Sequence, residues 1–116
     1  MIIRADALAK IVYEGLAITD YTGGAGLRSS VAIIEVPSGT CHPRAWSRRS
    51  DKFYLVLDGH IRFTLGEADH DLGPRDFCFV RQGERFAYEN QAPFPATLVL
   101  VHTPSFELDA EVIEGS

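Results

Sequence analysis

The chain has 116 residues, 46% of them hydrophobic and 23% charged, with a formal net charge of −5. That length suits one domain over residues 1–116 with no second core, and the apolar fraction sets the chain apart from disordered sequences. The excess of acids repels phosphate backbones, which argues against a nucleic-acid partner. The longest purely apolar runs, such as Phe53–Leu57, have strand length and fall far short of the roughly 20 residues that cross a bilayer, so no membrane partner is expected. Asp6 interrupts the start before a signal-peptide core develops, and Cys41 and Cys78 show no C-x-x-C spacing. A cytoplasmic protein without a disulfide framework is the expectation.

In chain order, Ala5–Tyr13 supports a helical turn or two, with Ala7, Leu8, Ile11 and Val12 on one side, and a strand is the competing reading. Gly23-Gly24-Ala25-Gly26 lacks the Lys-Ser or Lys-Thr of a phosphate loop and reads as a mobile hairpin or pocket lid. Val31–Val36 is a strand ended by Pro37-Ser38-Gly39. In the next extended stretch Arg44, Trp46 and Arg48 alternate away from Ala45 and Ser47. This cluster reads as an interface or sheet surface whose arginines pair with the excess acids, or as a patch for an anionic or planar partner. Phe53–Leu65 reads as one hairpin, because Asp58-Gly59 is a favoured two-residue turn. Ile61–Leu65, Phe77–Val80 and Thr97–Val101 follow as strands, with Cys78 buried and turns at Gly66, Gly73-Pro74 and Pro93 with Pro95. The acidic tail Phe106–Ser116 packs as a closing strand or joins a dimer contact. Short β-rich segments at this spacing mark an all-β sandwich or barrel with little helix.

Residues 39–90 resemble the cupin family. Gly39 and Gly59 stand at the two glycine places of the family's first motif, with Tyr54-Leu55-Val56-Leu57-Asp58-Gly59 as its hairpin wording. Gly83 and Asn90 fill places of the second motif, after Leu72-Gly73-Pro74-Arg75-Asp76-Phe77, while Arg75 and Arg81 replace its first glycine and its proline. The resemblance implies a cupin-type double-stranded β-helix, or jelly-roll, barrel that forms a homodimer. In typical cupins two histidines and a glutamate of the first motif and a histidine of the second bind a divalent metal. Here those places hold Ala45, Ser47, Lys52 and Phe86. Methyl, hydroxyl, ammonium and phenyl groups make a poor ligand set, so neither metal nor other cofactor is expected.

The four histidines form no His-x-His or His-x-x-x-His pair. His60 and His70 read as surface residues. His42, before Pro43, and His102, ending the run Thr97–Val101, read as residues of the barrel mouth, where a shifted metal site is the minor alternative. If the family register holds, alternation lines the cavity with Ala45, Ser47, Lys52, Tyr54, Phe86 and Tyr88. A lysine among aromatics pairs with a carboxylate such as Glu35 or Asp51, anchors an anion, or acts as a base or nucleophile once neutral. The expected function is binding of a small, anionic molecule, held by Lys52 and stacked on the aromatics. The alternative is a metal-independent isomerase or epimerase using Lys52 and tyrosines, after the superfamily branch that works with a histidine base and a tyrosine acid. A metal-dependent dioxygenase or isomerase with relocated ligands ranks last.

Overall fold

A computed structural model describes residues 1–115 of the chain, in eleven strands and two short 3-10 turns, Ala5–Ala7 and Leu108–Ala110. The strands are β1 (Ile11–Tyr13), β2 (Leu16–Asp20), β3 (Ser30–Val36), β4 (Cys41–Ser47), β5 (Asp51–Asp58), β6 (Ile61–Leu65), β7 (Ala68–Leu72), β8 (Phe77–Val80), β9 (Phe86–Glu89), β10 (Ala96–Thr103) and β11 (Glu111–Ile113). They form a six-stranded sheet in the order β1-β2-β3-β10-β5-β8 and a five-stranded sheet in the order β11-β4-β9-β6-β7. All pairings are antiparallel. The two inner faces enclose the core, which is the jelly-roll arrangement.

Alternation at period two builds that core. Along β10, Ala96, Leu98, Leu100 and His102 are buried while Thr97, Val99 and Val101 face outward. Along β5, Lys52, Tyr54 and Val56 are buried. The rings of Tyr54, Phe63, Phe86 and Tyr88 pack edge-on and stacked at 5.2–6.1 Å, tying the sheets together.

Two local expectations change. The N-terminal segment gives one 3-10 turn and then β1, since Ile11–Tyr13 pairs with Leu16–Ile18 and satisfies its backbone as a strand. Phe53–Leu65 is not a hairpin: β5 belongs to one sheet and β6 to the other, and β6 pairs instead with β7 and β9. Asp58-Gly59 is where the chain crosses between sheets. Gly59 has φ +79°, and a Cβ there would lie 2.7 Å from the Pro95 carbonyl oxygen and 2.8 Å from Ala96 Cα. Only glycine fits this close approach. The tail does return as a closing strand, β11 pairing with β4; Ser116 lies outside the described residues.

The pleat of β4 is irregular. His42 opposes Tyr88 and Ala45 opposes Phe86, so β4 spends one more residue than β9 over the same stretch. The bulge falls at Pro43, which has no N–H to give to a ladder.

Candidate functional site

Between the sheets lies a cavity of about 310 Å3. Its wall is mainly aliphatic, including Leu16, Ile18, Ile34 and Leu100, and its polar groups are Tyr13, His42, Lys52, Tyr54, Tyr88, His102 and Glu111, with Asp20 and Ser30. Of the six residues expected to line it, Lys52, Tyr54 and Tyr88 do so. Ala45, Ser47 and Phe86 are buried behind the wall instead. Ser47 is used by the β4–β5 turn, where its Oγ accepts from the backbone N–H groups of Arg49 and Ser50 at 3.1 and 2.9 Å. Phe86 places its ring 5.3 Å from Lys52 Nζ, under the ammonium.

His42 and His102 both stand on the cavity wall, His42 half-buried and His102 buried. His102 is inward by plain alternation from Leu98 and Leu100. His42 is inward because the bulge breaks the parity that Ala45 and Ser47 set. Its Nδ1 donates to the Pro43 carbonyl oxygen at 2.7 Å, which leaves Nε2 without a hydrogen-bond partner among the described residues. The ring lies against Phe86 at 5.0 Å and Tyr88 at 5.2 Å. Burial is the main cause that lowers its pKa from 6.5, so the imidazole is neutral near pH 7.

Lys52 and His102 are directly opposed on β5 and β10, and Lys52 Nζ donates to His102 Nε2 at 2.9 Å. The ammonium also makes a short ion pair with Glu111, which reaches it from β11 on the other sheet. Burial lowers the Lys52 pKa and Glu111 opposes that shift. His102 is pushed down to about 3, chiefly by burial and then by the Lys52 charge, and is a neutral acceptor. The carboxylate beside Lys52 is therefore neither Glu35, which pairs with Lys10, nor Asp51, which accepts from the Gln82 N–H. An anion arriving at Lys52 would meet a carboxylate already in place.

Both cavity phenols are shifted upward by burial, Tyr54 and Tyr88 alike, and stay protonated donors. The Tyr88 hydroxyl is buried and has no hydrogen-bond partner among the described residues. An orphaned donor on a cavity wall costs free energy unless something binding there accepts from it.

The metal positions do not fit a cation. Ala45 and Phe86 offer no donor atom, Ser47 Oγ is engaged by the turn, and Lys52 brings a positive charge. Among the described residues no three His, Cys, Asp or Glu side chains group as ligands.

Away from the cavity, the basic cluster is paired. Arg44 bonds the Gly66 carbonyl and Glu114, Arg49 meets Glu107, and the guanidinium groups of Arg85 and Arg48 lie over the Trp46 ring at 4.3 and 5.7 Å. Asn90, from the second motif, is a turn residue whose Nδ2 donates to the carbonyls of Val36 and Phe94. His60 and His70 are exposed, Cys41 and Cys78 are free thiols, and no helix among the described residues is long and apolar enough to cross a membrane.

The architecture has solved counterparts. A Streptomyces nucleoside dehydratase superposes with a TM-score of 0.83 at 22% identity, covering 97% of this chain and 89% of that one. A variant of the Streptomyces protein with uridine gives 0.81 at 22% identity, over 96% and 88%. A sugar phosphate isomerase from Silicibacter pomeroyi gives 0.77 at 19%, over 89% and 75%. No protein of curated function matches. The cupin domain model matches residues 32–102, well over half of the chain, and together with the jelly-roll barrel it shows that the chain belongs to the cupin family.

Proposed function

We propose that the cavity binds a small polar molecule of nucleoside or sugar type and acts on it by acid–base chemistry carried by side chains alone. The observation that carries this reading is the pairing of His42 Nε2, a neutral base without a partner, with the Tyr88 hydroxyl, a protonated donor without a partner, on one wall. Environments that push an imidazole down and a phenol up assign base and acid. In such a reaction Tyr88 donates to a carbonyl oxygen of the ligand while His42 Nε2 takes a proton from the adjacent carbon. The imidazolium then returns that proton to a departing hydroxyl, which eliminates water, or to another carbon, which isomerises the ligand. Lys52, Glu111 and His102 hold the polar end of the cavity rigid.

The similar proteins support this reading: one is a nucleoside dehydratase and one a sugar phosphate isomerase. The uridine structures are of variants carrying a histidine-to-glutamine or a tyrosine-to-phenylalanine change, the two residue types that converge here. A second reading, a binding module without turnover, is favoured by the occupation of Lys52 by Glu111, which leaves it neither nucleophile nor base. The test is a screen of nucleoside and sugar carbonyl compounds with the chain and its His42→Gln variant. Turnover that falls at least 100-fold in the variant supports catalysis; binding without turnover by either protein selects the module.

We infer also that the chain forms a homodimer through the outer face of the six-stranded sheet. Supporting this, Val101, Phe53 and Phe79 form one outward row, with Ile33, Val99, Leu55 and Phe77 in the next. Neither row carries a charge, and Phe77 is 56% exposed. Two copies, each acidic overall, can meet there without opposing like charges.

A further inference from the structure

The charges along the cavity wall are few, and they decide what can enter. Among the described residues that line it, the charged ones are Asp20, Lys52 and Glu111, and no arginine contributes. His42 and His102 are neutral, because burial holds both imidazoles below their ordinary pKa. Lys52 is spent: Glu111 takes its charge, His102 takes a second of its N–H bonds, and Phe86 closes the face below. The wall therefore carries a net charge of −1, from Asp20, which sits where β2 leaves the sheet and accepts the N–H groups of Thr22 and Gly23. An anion entering here would lose its hydration and gain no unpaired cation. The neutral wall groups without a hydrogen-bond partner among the described residues are an acceptor, His42 Nε2, and the hydroxyl donors of Tyr13, Tyr54 and Tyr88.

We propose that Glu111 is a specificity-determining residue: by neutralising Lys52 it reserves the cavity for uncharged polar ligands and turns away their phosphorylated counterparts. Glu111 comes from β11, an edge strand three residues long, and reaches across the barrel to Lys52. Replacing its carboxylate with an amide frees the Lys52 charge inside the cavity, next to two neutral imidazoles, and converts the same space into an anion site. This inference rests on the small-molecule reading of the cavity but not on turnover, because it concerns binding alone.

The test is calorimetric titration, at one fixed salt concentration, of the whole chain with uridine and with uridine 5′-monophosphate, then of Glu111→Gln. The wild-type chain is expected to bind the nucleoside at least tenfold more tightly than the monophosphate, and Glu111→Gln to close or reverse that ratio. Equal or tighter binding of the monophosphate by the wild-type chain overturns the proposal, whether or not the variant folds. So does an unchanged ratio in a folded Glu111→Gln, and so does failure of both probes to bind. Uridine binding with no turnover of any carbonyl compound would end the catalytic reading and leave this one standing.

Discussion

Glu111 and Lys52 come from opposite sheets and meet inside the barrel as an ion pair, with the lysine 2% exposed. Such a pair is worth little against a well-packed apolar replacement, yet removing one partner strands the other charge in a place without water. Lys52→Met and Glu111→Leu are each expected to cost about 3 kcal/mol in urea unfolding, and the double variant to recover about 2 kcal/mol of the summed loss. Additive losses would show that the two charges do not act on each other.

Tyr88 separates stability from binding. Its hydroxyl is buried without a partner, so Tyr88→Phe removes a desolvated group and leaves the ring stack with Phe63 intact. We expect thermal unfolding to show stability unchanged or raised by about 1 kcal/mol, while uridine affinity falls about tenfold. A loss of stability of similar size would mean that the hydroxyl has a partner in the folded chain.

The two cavity histidines make the barrel sensitive to acid. Both have folded pKa values below the ordinary 6.5, His102 at about 3. Below pH 6.5 the unfolded chain takes up protons that the folded chain refuses, so stability is full above that pH and falls as pH decreases. Each histidine adds a slope of up to about 1.4 kcal/mol per pH unit. Chemical unfolding between pH 7 and pH 4 is expected to show a shallower decline in His102→Gln than in the wild-type chain; parallel curves would reject the assignment.

Gly59 has a backbone reason for its identity. A Cβ there would collide with the backbone of Pro95 and Ala96 at a φ that L-residues avoid. Gly59→Ala is expected to destabilise the chain by about 3 kcal/mol, read as a drop in the urea midpoint. Gly39, whose positive φ faces open space, should lose only about 1 kcal/mol on the same change.

The outer phenylalanines give the last prediction. Light scattering is expected to return twice the 12.8 kDa of one chain. Phe77→Asp places a charge in the exposed row and should shift the protein to the monomer mass, with circular dichroism unchanged. A monomeric wild-type chain would leave that face to another role.

The barrel was legible because alternation and turn residues survive in short strands: Phe77–Val80 and Ile61–Leu65 have the bounds read from sequence. Asp58-Gly59 misled because a two-residue hairpin turn and a crossing between sheets both use a glycine of positive φ; here Gly59 alone has it, where the hairpin would need it at Asp58 too, and the glycine is fixed by the distant Pro95 and Ala96 backbone. In the site, Lys52, Tyr54 and Tyr88 followed from counting along regular strands. Glu111 did not, because nothing local marks which carboxylate a three-residue edge strand will deliver to a lysine 59 positions away. His42 was lost for another reason: counting by twos from Ala45 turns it outward, and the extra residue at Pro43 restores it.

That extra residue gives β4 two kinds of neighbour on one side of the barrel. Beyond the bulge the strand sends small groups, Ala45 and Ser47, into the packed wall, and before it the same strand sends an imidazole into open space. The chain thus presents a neutral imidazole to the cavity from a position that regular pleating would have given to solvent. Deleting one residue between His42 and Ala45 is expected to keep the barrel's pattern of turns and to turn His42 out of the cavity. In this fold, pleat parity at one proline decides which side chain of β4 faces the cavity.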